Sequence, residues 1–145
     1  MRVTFPRLPD HERAWALVER DDGVVYRVYG GAAGPRLPHD IMHLVVEREL
    51  RIKDGIWAGI AAGEPSYAPG LRAEALADLV SSAATLDTMT LEKVKRLSAA
   101  KLSVLPDADV DPVVIAAAAR ALQVEAARWA RLRIGEELSY DWPGT

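Results

Sequence analysis

The sequence predicts an α+β fold in which a small antiparallel sheet, built from an N-terminal meander and a C-terminal strand, is covered by about four helices. Three observations predict it: a turn signal between two β-rich runs near the N-terminus, alternation of apolar and polar residues in the tail, and helical periodicity between them. The chain has 145 residues, of which 50% are hydrophobic, which is enough for one ordinary core. We therefore expect a single domain over residues 1–145.

The N-terminal strands are predicted from β-branched and aromatic residues. RVTFP at 2–6 is a short strand, and the runs at 13–20 and 23–29 flank Asp21-Asp22-Gly23. Asp-Gly between two such runs is typical of a tight hairpin turn. The glycine- and proline-rich segment 30–38 is predicted to be a loop.

The middle of the chain is predicted to be helical, with breaks at glycine and proline. An acid followed by proline, as in Asp111-Pro112, favours a helix start, and Gly135 favours a helix stop. The predicted helices run from about Pro38 to Leu50, over 55–63 as a short helix, over 71–84, from Leu91 onward, and from Pro112 towards Gly135. PDADVDP at 106–112 is predicted to be a linker between elements.

The tail is predicted to be the last strand. Leu138, Tyr140 and Trp142 alternate with Ser139 and Asp141, which is the period of a strand with one buried face. An isolated strand leaves its backbone groups without partners. We therefore expect the tail to return to the N-terminal sheet.

Composition excludes some functions and disfavours others. The formal net charge is −3, whereas chains that bind nucleic acid usually carry a basic excess, so nucleic acid is disfavoured. The chain contains no cysteine, which removes disulfides, thiolate catalysis and cysteine-ligated metals, and fits a cytoplasmic location. The longest uncharged run is too short to span a bilayer, so we expect no membrane segment.

The most informative motif is His39-Asp40-x-x-His43-x-x-x-Glu47 in the first predicted helix. At about 100° per residue, the four side chains fall within about 100° of one another on the helical wheel. Val46 on one side and Leu44 on the other flank this sector with apolar side chains.

One interpretation of the motif is a metal site. Histidines four apart on one helical face can place two imidazole nitrogens on one divalent ion, as in the HExxH helix of zinc peptidases, whose glutamate is the general base. Asp40 stands in that position here, so it is the candidate catalytic base or outer-sphere residue, with His39, His43 and Glu47 as candidate ligands. Zinc is the leading candidate metal, and other divalent ions remain open. Remaining ligands would come from the segment 10–12, Asp-His-Glu.

The other interpretation is the polar side of an ordinary helix. Asp40 would then stabilise the first turn, and the histidines would hydrogen-bond the backbone or Glu47. Two function hypotheses follow. The first is a small binding or regulatory module without catalysis, whose partner is a protein or a small ligand, and the second is a metal-binding protein or small metal-dependent hydrolase. The sequence leaves open whether the protein is an enzyme.

Residues 37–63 also resemble a pattern, LPHDxxHxxVExxLxxxxGxWGxxAAG, that recurs in a family of small bacterial proteins. The chain has Ala58 where the pattern has its second glycine. The family has no established activity, so the resemblance implies a unit built around His39, Asp40, His43 and Glu47 and implies no reaction.

Three glycines, Gly55, Gly59 and Gly63, are spaced four apart in this stretch. Inside a helix they would form one bare face, at a cost of up to about 1 kcal/mol each relative to alanine. We expect that face either to pack closely against the histidine helix or the sheet, or to form the floor of a ligand site.

Overall fold

The computed structural model describes residues 1–64, 69–103, 105 and 110–143, and the predicted linker at 106–112 lies largely outside these ranges. The described part contains four strands and five helices. The strands are β1 (Arg2–Pro6), β2 (Arg13–Glu19), β3 (Val25–Ala32) and β4 (Glu137–Asp141). The helices are α1 (His39–Glu49), α2 (Ile56–Ala62), α3 (Leu71–Ala84), α4 (Leu91–Lys101) and α5 (Pro112–Ala130). The α+β prediction is confirmed, and each of the five predicted helical stretches contains one of these helices.

The four strands form one antiparallel sheet in the order β3-β2-β1-β4. β1 is central: Val3 lies opposite Val18 of β2 on one side and opposite Tyr140 of β4 on the other. The tail therefore returns to the N-terminal meander, as predicted. This pairing brings the first and last strands of the chain together and gives β1 a hydrogen-bonded neighbour along both edges.

The turn between β2 and β3 follows from its aspartate and glycine. The Asp22 carboxylate accepts a hydrogen bond from the backbone N–H of Val24 at 3.2 Å and is paired with Arg20. The hydrogen bond to Val24 is the largest of the effects that lower the pKa of Asp22. The Asp-Gly hairpin prediction is confirmed, and β3 runs on to Ala32, into the segment that the composition predicted to be a loop.

The core lies between one face of the sheet and the helices. The sheet contributes side chains such as Val3, Phe5 and Val18, all at most 3% exposed. Trp57 of α2 is completely buried and its ring meets the Phe5 ring edge-on, with centroids 5.9 Å apart. This contact joins α2 to β1. The start of α1 lies beside β3, where Gly30 approaches Asp40.

Gly135 does not end α5, and the three glycines spaced four apart do not form one helical face. α5 ends at Ala130 with Arg131 as its C-cap, and Gly135 lies beyond it in a turn, where its N–H donates to the Arg7 carbonyl at 2.9 Å. Of the three glycines spaced four apart, only Gly59 lies inside α2, since Gly55 and Gly63 are its N-cap and C-cap. Gly63 has φ +78°, a conformation that glycine adopts without strain. Gly55 and Gly63 therefore bound α2 rather than forming one face of it.

No helix in the described ranges is both long enough and apolar enough to cross a membrane.

Candidate metal centre

The histidine motif begins at the first turn of α1. Pro38 is the N-cap, so His39 is the first helical residue, and it is exposed. Asp40 is half-buried, and His43 and Glu47 are each only 1% exposed. An ordinary solvated helix face does not bury a histidine and a glutamate to this degree, so the second half of the motif belongs to the interior.

The two histidines bring their Nε2 atoms together. The His39 and His43 Nε2 atoms are 2.9 Å apart, with the rings edge-to-face at a centroid distance of 4.6 Å. Glu74, in the first turn of α3, places its Oε2 3.9 Å from His43 Nε2. One ligand atom from each of these three residues lies within 4.8 Å of the others, the one such cluster among the described residues.

These distances are close to those of a metal complex. Two ligands about 2.0–2.1 Å from a tetrahedral ion are roughly 3.3 Å apart. The His39–His43 separation is a few tenths of an ångström shorter and the His43–Glu74 separation somewhat longer. A hydrogen bond between one protonated and one unprotonated Nε2 gives the same His39–His43 distance. A hydrogen bond between the two histidines does not, however, account for the Glu74 carboxylate, which approaches the same Nε2 atoms.

The other nitrogen of His43 faces Glu47. His43 Nδ1 is buried and has no hydrogen-bond partner within the described chain, and it lies 3.6 Å from Glu47 Oε2. A carboxylate opposite Nδ1 favours the tautomer with the proton on Nδ1, which leaves the Nε2 lone pair free for a ligand. Metal-bound histidines usually have such a carboxylate behind them.

Glu47 itself is engaged at the start of α2. Its Oε2 accepts the backbone N–H of Ile56 at 3.0 Å and its Oε1 accepts that of Trp57 at 2.9 Å. A carboxylate is favourable there because these amides have no partner inside the helix and carry partial positive charge. The carboxylate lies directly against Gly55, where a Cβ would overlap it. The structure thus places Glu47 behind His43 and in the cap of α2, outside the cluster that contains Glu74.

Asp40 lies on the other side of the helix start, towards β3. Its Oδ2 would be 2.9 Å from a Cβ at Gly30, so the close approach depends on that glycine. Burial raises the pKa of the Asp40 carboxyl, and the charges of His39 and His43 oppose this rise. Its main-chain carbonyl accepts a hydrogen bond from Trp57 Nε1 at 3.0 Å, which anchors the first turn of α1 to α2.

The segment Asp10-His11-Glu12 does not join the cluster. Asp10 pairs with Arg7 at 2.7 Å, and His11 lies in a tight turn with φ +73°. The carboxylate that lies with the two histidines is instead that of Glu74, which the sequence analysis did not select. Its sequence signal is limited to an acid in the first turn of α3, which is common for electrostatic reasons alone.

A cavity of about 470 Å³ borders the N-terminal end of α1. Its walls are mainly aromatic and small apolar residues, and both His39 and Asp40 line it. A larger cleft, of about 900 Å³, lies at the opposite end of α1, with lining residues of both charges such as Arg48, Lys53 and Asp141. Size alone would favour that cleft, but neither histidine lines it, so the smaller cavity is the one connected to the cluster.

Comparisons with known proteins found no family model, no curated protein and no solved structure that matches this chain. The resemblance of residues 37–63 to a family of small bacterial proteins therefore stays a prediction.

Proposed function

We propose that this protein is a small binding module whose ligand is a divalent transition metal, zinc foremost, held by His39, His43 and Glu74. The observation that carries the proposal is the convergence of three ligand atoms from α1 and α3 within 4.8 Å. Imidazole nitrogen and carboxylate oxygen are the donors that zinc accepts in proteins without cysteine ligands.

The position of Glu47 supports the same proposal. A carboxylate 3.6 Å from the otherwise unpartnered Nδ1 of His43 is the arrangement that orients a metal-binding imidazole and raises its basicity. In this proposal Glu47 is an outer-sphere residue, and Glu74 replaces it as the third ligand. A cytoplasmic location remains part of the proposal, because a chain without cysteine needs no oxidising compartment.

The test is metal content and affinity of untagged protein. Zinc-loaded protein, freed of excess metal by gel filtration, should hold one zinc per chain by elemental analysis. His39→Ala should weaken zinc binding in calorimetry by more than the about 10–100-fold typical of losing an outer-sphere partner. Since His39 is exposed, this variant should keep its fold.

His11→Ala is the matched control, because His11 is also exposed and lies outside the cluster. It should bind zinc as the wild type does. The proposal fails if wild-type protein holds no zinc after gel filtration, or if His11→Ala and His39→Ala lose the same affinity.

A metal-dependent hydrolase is the second candidate, and it rests on the open coordination position. Three protein ligands leave a tetrahedral ion one position for water, as in catalytic zinc sites. The adjoining cavity, bordered by His39 and Asp40, would place a substrate next to that position. Zinc-loaded protein should then hydrolyse 4-nitrophenyl acetate faster than Asp40→Asn with the same zinc content. Equal rates would remove Asp40 as the base.

A further inference from the structure

The cavity at the start of α1 has the features of a small-molecule site in its own right. Its volume, about 470 Å³, lies in the range of ligand pockets, and its walls are predominantly apolar. Phe5 and Trp129, each 3% exposed, and the half-buried Trp15 provide aromatic surface. These residues come from β1, α5 and β2, so the cavity lies where three elements meet.

The walls of this cavity are fixed before any ligand arrives. Trp129 Nε1 donates to the Gly34 carbonyl at 3.1 Å, which ties the segment after β3 to α5. Ala33 exchanges backbone hydrogen bonds with the turn before β2, donating to the Glu12 carbonyl and accepting from the His11 N–H. A preorganised wall lowers the ordering cost of binding.

The polar group of the cavity is the Asp40 carboxylate. It is half-buried, and it accepts no hydrogen bond from the part of the chain that the structure describes. The cavity's other charged wall residue besides His39 is Arg36, which is exposed at the entrance. A partly desolvated carboxylate attracts an organic cation. The Trp15 ring already carries the Arg27 guanidinium, 4.1 Å from its centroid, so the aromatic rings serve as apolar wall for the rest of such a ligand.

We propose that this cavity binds a small organic amine, with its apolar body against Phe5, Trp15 and Trp129 and its ammonium group on the Asp40 carboxylate. The glycines and alanines of residues 30–34 allow the apolar body to lie close to the backbone. This site does not require a metal, so it stands independently of the proposed metal centre.

A charge series on one apolar body tests the proposal in wild-type protein. 2-Phenylethylamine, 2-phenylethanol and 3-phenylpropionate share a phenyl group and differ in the charge of the other end. Titrations in the presence of EDTA would be followed by the amide ¹H–¹⁵N shifts of residues 30–34. The amine should bind at least about tenfold more tightly than the alcohol, as a charge-assisted hydrogen bond allows, and the carboxylate should bind most weakly.

Variants assign the preference to Asp40. Asp40→Asn should bind the amine and the alcohol about equally, whereas Asp87→Asn, which removes an exposed acid outside the cavity, should leave the tenfold preference unchanged. Gly34→Leu should weaken all three probes, because Gly34 lines the cavity and a Cβ there meets no atom within 4 Å, so the larger side chain has room to extend into the cavity. Shifts at residues 30–34 that favour the alcohol or the carboxylate, or no shifts with any probe, would overturn the proposal.

Discussion

The substitution Gly55→Ala probes the contact on which the arrangement of α1 and α2 depends. Gly55 is the N-cap of α2, and a Cβ at this position would overlap the carboxyl carbon and both oxygens of Glu47. Glu47 cannot move aside freely, because it is 1% exposed and accepts the backbone N–H groups of Ile56 and Trp57. Adding a single methyl group therefore forces either a backbone shift or the loss of both hydrogen bonds.

The magnitude follows from those two outcomes. Overpacking a filled site costs about 1–3 kcal/mol, and each hydrogen bond to a charged group contributes about 1.5–3 kcal/mol. We expect Gly55→Ala to lower the free energy of unfolding by about 3 kcal/mol. For a chain of this length that corresponds to a fall in the melting temperature of roughly 6–12 °C.

Thermal melting and urea denaturation would measure this effect beside a matched control. Gly34→Ala adds the same methyl group where no atom lies within 4 Å, so it should change stability by less than about 0.5 kcal/mol. The cost of Gly55→Ala should also be smaller in a Glu47→Asp background, since the shorter side chain leaves room for the Cβ. A Gly55→Ala protein that melts within about 2 °C of the wild type would refute the role assigned to Glu47.

Three further predictions concern other buried or strained groups. Tyr140→Phe should lower the urea-derived stability by about 1–3 kcal/mol, because the Tyr140 hydroxyl donates to the buried Glu125 carboxylate at 2.6 Å; an unchanged midpoint would contradict this. Asp40→Asn should raise the melting temperature of metal-free protein at neutral pH. Because the pKa of Asp40 is raised in the folded protein, the wild type loses stability as pH rises through that pKa and the carboxyl ionises. Below about pH 4 the carboxyl is protonated in both the folded and the unfolded state, so the advantage of Asp40→Asn should vanish there. Gly63→Ala should cost about 1 kcal/mol or more, since φ is +78° and the new Cβ would lie 2.8 Å from Arg20 Nη2; a melting temperature equal to that of the wild type would contradict the left-handed cap.

The fold followed from local signals wherever the local and tertiary preferences agreed. The Asp-Gly turn and the alternation in the tail predicted the strands, and Asp111-Pro112 predicted the start of α5, where the Asp111 side chain accepts from the N–H of Val113. Prediction of helix ends and faces failed at Gly135 and at the glycines around α2, because a glycine is compatible with a cap, a turn or a close contact, and spacing does not distinguish these. Gly55 lies against the Glu47 carboxylate of α1, so the expected close packing against the histidine helix is found at this glycine.

The sequence could predict only those residues of the candidate centre that lie on one helix. The periodicity of α1 placed His39 and His43 on one face, and their Nε2 atoms do meet. The third group required knowledge of how α3 packs on α1, because Glu74 lies 31 residues beyond His43 and in a different helix. The helical-wheel projection also placed Glu47 on the face of the histidines. It could not show that the Glu47 carboxylate accepts hydrogen bonds from the backbone amides at the start of α2.

Glu47 links the proposed metal centre to the hydrophobic core through its contacts with His43 and with the start of α2. One carboxylate faces His43 Nδ1 at 3.6 Å and accepts two amides at the start of α2, whose Trp57 is completely buried against the sheet. In the proposed complex, a metal on Nε2 makes the Nδ1–H a stronger donor and draws the imidazole towards this carboxylate. The hydrogen bonds that hold α2 and the orientation of the metal ligand are then parts of one network. The same network explains how Glu47 can carry a charge while only 1% exposed. Backbone amides match its charge on one side, and the histidine that the metal would polarise matches it on the other.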